Sequence, residues 1–216
     1  MRIKICCIQS VAEAQLAVGA GASLLGLVAA MPSGPGPISD DRVAEVARWV
    51  PPGVSSVLLS SEISAEGLVA HVARCRSQVL QIVDAPDRDA YAALRIEYPA
   101  LKLMQVIHVE GLDAIDQARA IEADVDAILL DSGRPSAEVK ELGGTGRAHD
   151  WSVSAALVKA VEKPVFLAGG LTPANVVQAV QQVRPFGVDL CSGVRTNDRL
   201  DVVKLDAFAK AVCAAT

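Results

Sequence analysis

Short apolar runs alternate with amphipathic stretches from one end of the chain to the other. The runs are Ile3–Ile8, Ser23–Ala29, Ser55–Leu59, Val79–Val83, Leu101–Val109, Val125–Leu130, Pro164–Ala168 and Gly187–Cys191. They read as nearly unbroken apolar segments, the pattern of parallel strands buried on both faces. Between them, helical periodicity predicts helices over Val11–Val18, Asp40–Val50, Ala65–Arg74, Asp87–Tyr98, Leu112–Glu122, Trp151–Val161, Pro173–Val183 and Val202–Val212. Gly19 and Gly21 are placed to stop the first helix, and Thr172-Pro173 supplies an N-cap followed by proline for the seventh. No linker or low-complexity tract interrupts the series. Eight strand–helix pairs in 216 residues predict an α/β fold, a (β/α)₈ TIM barrel with a closed parallel sheet, as one domain over residues 1–216. An open doubly wound sheet is the alternative.

Composition narrows the function classes. Hydrophobic residues make up 51% and charged residues 21%, a globular balance. The net charge of −5 argues against nucleic-acid partners, and 3% aromatic content leaves little for base stacking. The uncharged stretch from Ala14 to Ser39 is broken by Gly19, Gly21, Gly26, Pro32, Pro35 and Pro37, which excludes a membrane span there. Cys6, Cys7, Cys75, Cys191 and Cys213 are odd in number and lack CxxC spacing, which argues against a disulfide framework or a zinc knuckle. Met1-Arg2-Ile3-Lys4 runs straight into the first strand without an apolar leader, so a cytoplasmic, reduced protein is expected.

In a barrel the chemistry gathers where strands end and their following loops begin. That rule selects Cys6 and Cys7, Asp84, His108, Asp131, the Gly169-Gly170 turn and Ser192-Gly193. Between Asp131 and Trp151 runs a long loop with Gly143-Gly144-Thr145-Gly146 near its end, and loops of that length are usually functional or disordered. Glycine lets backbone approach an anion closely, and barrels frequently hold a phosphate between the loops of strands 7 and 8. Gly169, Gly170, Ser192 and Gly193 are therefore candidate phosphate contacts. Each residue also has a plain reading. Cys6 fits as a small buried hydrophobe, and Cys7 points to the opposite side of its strand as packing. Asp84 fits a turn, Asp131 a cap, and His108 a hydrogen-bonded edge of the core or a substrate contact. No metal-ligand spacing is present.

Five motifs in order carry a resemblance. Lys4-Ile5-Cys6 is similar to K-I-C-G, and Leu129-Leu130-Asp131-Ser132 to an L-L-D strand end. Gly143-Gly144-Thr145-Gly146-Arg147 with Asp150-Trp151 is similar to G-G-T-G-K-x-x-D-W. Leu167 to Val176 follows L-S-G-G-L-x-P-x-N-V, and Val188 to Val194 follows V-D-V-S-S-G-V. Over nearly its whole length the chain resembles the phosphoribosylanthranilate isomerase family of the tryptophan pathway. The resemblance implies a cofactor-independent Amadori rearrangement of a phosphorylated aminoaldose, a small-molecule substrate, in a monomer or homodimer. It implies Asp131 as general acid and Cys6 as general base, with a raised carboxyl pKa and a lowered thiol pKa. Gly170, Ser192, Gly193 and Gly146 would hold the phosphate.

Three departures stand against that pattern. Gly36 occupies the position of an Arg thought to bind the substrate's carboxylate, the strand-4 His is replaced within Gln81-Ile82-Val83-Asp84, and Cys7 replaces a Gly. Losing a charge-assisted carboxylate contact removes on the order of 1.5–3 kcal/mol unless another cation replaces it. Arg134 is the expected substitute, then Arg147. A relative acting on a different amine, or a barrel that only binds a phosphorylated ligand, are the alternatives.

Overall fold

The computed structural model describes residues 1–32, 34–133 and 149–215. Its elements are β1 (Arg2–Ile5), α1 (Val11–Gly19), β2 (Leu24–Val28), α2 (Asp40–Trp49), β3 (Ser55–Ser60) and α3 (Ala65–Cys75). There follow β4 (Val79–Ile82), α4 (Ala90–Glu97), β5 (Lys102–His108), α5 (Asp113–Ile121), β6 (Ala127–Asp131) and α6 (Trp151–Ala160). The chain closes with β7 (Val165–Leu167), α7 (Val176–Val183), β8 (Gly187–Leu190), a 3₁₀ turn at Ser192–Val194, the short hairpin β9 (Arg195–Thr196) and β10 (Arg199–Leu200), and α8 (Val202–Ala214).

β1 to β8 form a closed barrel in sequence order, sealed by parallel pairing of β1 with β8 in the register Lys4 to Asp189. The open-sheet alternative is thereby excluded. Because side chains alternate across a strand, Ile3 and Ile5 join the core between sheet and helices, while Cys6 joins a second cluster with Val57, Leu59, Met104, Val106, Leu129 and Phe166. Continuous burial on both faces explains why the strands read as unbroken apolar runs.

Caps set most helix starts. Ser10, Ser39, Ser64, Asp150 and Asp201 each accept a backbone N–H from the first turn of the helix that follows. At α7 the expected start at Pro173 moves to Val176. Asn175 accepts from Thr172 N at 2.8 Å and donates to Gly170 O at 2.9 Å, so Thr172-Pro173 belongs to a turn folded back on the Gly169-Gly170 loop. α4 likewise begins at Ala90 rather than Asp87. α2 and α3 are tied where Asp40 takes Arg74 Nε at 2.6 Å and faces His71 Nε2 at 3.3 Å, with His71 Nδ1 2.8 Å from Ser60 Oγ. Among the described residues no helix is long and apolar enough to cross a membrane.

Candidate active site

Lys4 of β1 and Cys6, directly after its end, stand two residues apart and so share the barrel-facing side. Lys4 is fully buried, and its Nζ meets Asp189 Oδ2 of β8 at 2.9 Å. A bare ammonium would not survive such burial; Asp189 keeps it charged and raises its pKa against the opposing effect of desolvation. Gly26 of β2 leaves the room for this arrangement. A Cβ there would stand 2.8 Å from Cys6 Sγ and 3.1 Å from Lys4 Nζ. Desolvation pushes the Cys6 thiol up to about 11; Lys4 pulls it down, while Asp189 and Asp131 push it up. The expectation of a lowered thiol pKa therefore fails, because burial and two carboxyls outweigh one ammonium.

Asp131 ends β6 and accepts Ser132 N at 2.7 Å. Burial raises its pKa above the usual carboxylate value, against the pull of that N–H and of His108. Cys6 and Asp131 line one cleft at the C-terminal ends of the strands, together with Gly169, Gly170 and Ser192. Opposite them the wall is apolar, with Val28, Met31, Leu59 and Val83. No Lys or Arg lines this cleft among the described residues.

The remaining candidates divide. Gly193 packs its Cα against the Leu171 carbonyl, where any Cβ would collide, so it joins the β7 and β8 loops to one another. His108 pairs in register with Asp131, but its Nε2 donates to Val83 O at 2.9 Å and it lines a separate hollow beside Tyr91 and Gln105 rather than the cleft. Asp84 lines that same hollow. Arg134, Gly146 and Arg147 lie outside the described residues.

Cys7 departs from its expected packing role, and the expectation against a disulfide is corrected with it. Cys7 adopts a positive φ of 61° and forms a disulfide with Cys191, 184 residues away, at a Cα–Cα distance of 5.8 Å. Barrel closure, which sets the end of β1 beside the end of β8, makes the contact invisible to any local spacing rule. The loop after β2 presses on the same residue: Cys7 Sγ is 3.6 Å from Pro35 O, and a Cβ on Gly36 would stand 2.6 Å from Cys7 Cβ.

The family model for N-(5'-phosphoribosyl)anthranilate (PRA) isomerase matches residues 3–211. The chain belongs to this family. It is 36% identical to N-(5'-phosphoribosyl)anthranilate isomerase 2 of Methanosarcina mazei over 96% of this chain and 92% of that relative. It is 39% identical to the isomerase of Halobacterium salinarum over 89% of this chain and 86% of the other. Among solved structures, the phosphoribosyl anthranilate isomerase of Thermus thermophilus superposes with a TM-score of 0.82 at 26% identity, covering all of both chains.

Within a PRA isomerase barrel the reading from residues missed three groups: Asp189, which lines the cleft, Lys4, which is buried behind it against Cys6, and His149, which packs beside Gly169. Lys4 and Asp189 were present only as motif letters, although a lysine and an aspartate inside apolar strands are themselves a signal of a buried pair. His149 lies just before the Asp150 cap; its Nε2 is 2.6 Å from Ser154 Oγ and its Nδ1 is 3.1 Å from the Cβ position of Gly169. Burial pushes its pKa down to about 4, so it stands neutral beside the glycine turn.

Proposed function

We propose that this barrel is a phosphoribosylanthranilate isomerase of tryptophan biosynthesis, acting without a cofactor on a phosphorylated aminoaldose. The carrying observation is the convergence of Cys6 and Asp131 on one cleft with the Gly169-Gly170 turn and Ser192, in a chain of the PRA isomerase family. In this reading the phosphate lies against Gly169, Gly170 and Ser192, with Gly193 holding the turn beneath it. Asp131, whose pKa burial raises, gives its proton to the ribose ring oxygen as the C1–O bond breaks and the nitrogen lone pair forms a protonated Schiff base. Cys6 then takes the C2 proton. The cationic Schiff base, added to Lys4, supplies the positive charge that draws the thiol toward thiolate. The resulting enol loses its hydroxyl proton and gains one at C1 to give the aminoketose.

The acid and the base are thus set apart by environment, one carboxyl lifted and one thiol dependent on charge that arrives with the substrate. The apolar wall of Val28, Met31, Leu59 and Val83 suits an aromatic amine half. We take residues 1–216 to act as one barrel in the cytoplasm, as monomer or homodimer, with no nucleic-acid partner. Rescue of a tryptophan auxotroph lacking this isomerase, followed by turnover of the purified protein, tests the proposal, and failure of both rejects it. A second reading, an isomerase for a different amine, is favoured by one observation: at position 36 the Arg of the family pattern is replaced by a glycine pressed on Cys7. His108, from its hollow beside Asp131, would reach substrate only through that carboxyl.

A further inference from the structure

We propose that the Cys7–Cys191 disulfide is a reversible redox clamp that holds the substrate cleft in its binding-competent form. Four observations meet at this bond. Both cysteines line the cleft that holds Cys6 and Asp131. Cys7 follows Cys6 directly, and Cys191 directly precedes Ser192, so the bond ties the strand end that carries the thiol to the loop assigned to the phosphate. Cys7 holds a left-handed backbone conformation, φ 61°, which a residue with a Cβ adopts uncommonly. The loop after β2 rests on Cys7 through Pro35 and Gly36. The same strand ends are also joined by Arg195, which donates to Cys7 O at 2.9 Å and pairs with Glu13 at 2.7 Å. Reduction therefore loosens this corner rather than unfolding it.

Access supports reversibility. Cys7 is buried, whereas Cys191 is half-buried among the residues lining the cleft, so a small thiol or a dithiol protein reaches Cys191 first. The reductant thiolate attacks Cys191 Sγ, the Cys7–Cys191 bond breaks, and Cys7 leaves as a thiolate that takes up a proton. A second reductant thiol resolves the mixed disulfide, releasing Cys191 as a thiol and the reductant as its disulfide. Two electrons pass to the protein, and the reverse exchange with a small disulfide restores the clamp. Cytoplasmic disulfides, where they occur, are characteristically of this transient kind.

The full-length protein is equilibrated in oxidised or reduced dithiothreitol, and thiols are counted after denaturation. Three titrating thiols, from Cys6, Cys75 and Cys213, are expected in the bridged form and five after reduction. Ribose 5-phosphate affinity by calorimetry is expected to weaken by about tenfold on reduction, the order of ordering one freed backbone residue on binding. KM for the phosphorylated substrate should rise in parallel with kcat nearly unchanged; this kinetic arm alone rests on the isomerase reading. Cys191→Ser should show the reduced-form affinity in both buffers. Cys7→Gly/Cys191→Ser, in which an unbridged glycine at position 7 is freer than the reduced cysteine, should bind no tighter than the reduced form and ignore the redox poise. Five thiols in both buffers, equal affinity in the two states, no ribose 5-phosphate binding by the bridged form, or a redox response surviving in Cys191→Ser would each overturn the clamp. Affinity that follows the clamp in a protein without isomerase turnover would instead overturn the functional reading and leave the clamp standing.

Discussion

Lys4→Met isolates the charge that, in the proposed mechanism, helps Cys6 act as a base. Cys6 Sγ and Lys4 Nζ flank the same point above Gly26, at 2.8 and 3.1 Å from it. For unit charges about 5 Å apart at an effective dielectric of about 20, the interaction is about 3 kcal/mol, or about two pH units of thiol ionisation. Positive charge favours the thiolate, so removing it lifts the Cys6 pKa further above about 11. The thiolate fraction at neutral pH, and kcat/KM with it, should fall by about 100-fold. The substitution also strands Asp189 in the barrel, and breaking a buried pair from one side costs about 3–5 kcal/mol of stability. Lys4→Met/Asp189→Leu removes that complication, because replacing both partners by apolar groups is often neutral. Asp189 opposes the thiolate less than Lys4 favours it, so the double variant should lie between wild type and Lys4→Met in rate while melting near wild type. The assays are steady-state kinetics and the pH dependence of iodoacetamide alkylation at Cys6, followed by peptide mass analysis. A folded Lys4→Met protein with wild-type kcat/KM and an unmoved alkylation profile would refute the assignment of Lys4 to Cys6.

Cys6→Ser and Asp131→Asn should each lower kcat by about 10²–10⁴-fold while leaving ribose 5-phosphate affinity by calorimetry within about twofold, since proton transfer is lost and the glycine turns remain. The pH profile carries its own signature, because the proposed mechanism needs Asp131 protonated and Cys6 ionised, and between their two pKa values each group favours the other state. Between the raised Asp131 pKa and the Cys6 value of about 11, every rise in pH gains thiolate and loses acid in equal proportion, so kcat/KM should be flat across that window and fall only above about 11 and below the Asp131 pKa. A sharp maximum near pH 7 would show that the two groups are not the acid and the base.

The barrel was legible because its strands are parallel and closed. Every strand is buried on both faces, so each reads as an apolar run, and the observed strands fall inside or within a residue of those runs. Helix starts were less legible, since capping is decided by which side chain reaches a free N–H. At α7 Asn175 turns inward to Thr172 and Gly170, and the proline signal is spent on the turn before the helix. The cleft itself was legible in Cys6 and Asp131, which terminate their strands, and in Gly169, Gly170 and Ser192. Its electrostatics were not. Lys4 and Asp189 are 185 residues apart and become partners only when β1 meets β8, so the sign of the Cys6 shift was set by burial that no local motif records.

The departures at Cys7 and Gly36 looked like two separate losses in the sequence, and the geometry makes them one. A Cβ at position 36 would stand 2.6 Å from Cys7 Cβ and 3.2 Å from its Cα and Sγ, on a backbone with φ +81°. An arginine cannot return there while Cys7 keeps its place, and a glycine at 7 would clear the nearest atom while accepting the positive φ of that residue. Gly36→Arg alone should therefore destabilise the loop after β2 and gain no carboxylate affinity. Gly36→Arg with Cys7→Gly should relieve the clash with the Cys7 side chain, leaving only the cost of the positive φ at position 36, and bring a cation to the apolar wall of the cleft. The four proteins form a double-mutant cycle whose coupling should favour the double variant by about 0.5–3 kcal/mol, the range for residues in contact. It is read by thermal melting and by anthranilate binding, in reducing buffer so that no member carries the clamp. Additive effects in both measurements would mean that Cys7 does not exclude the arginine, and the missing cation would then be an independent change in what the cleft accepts.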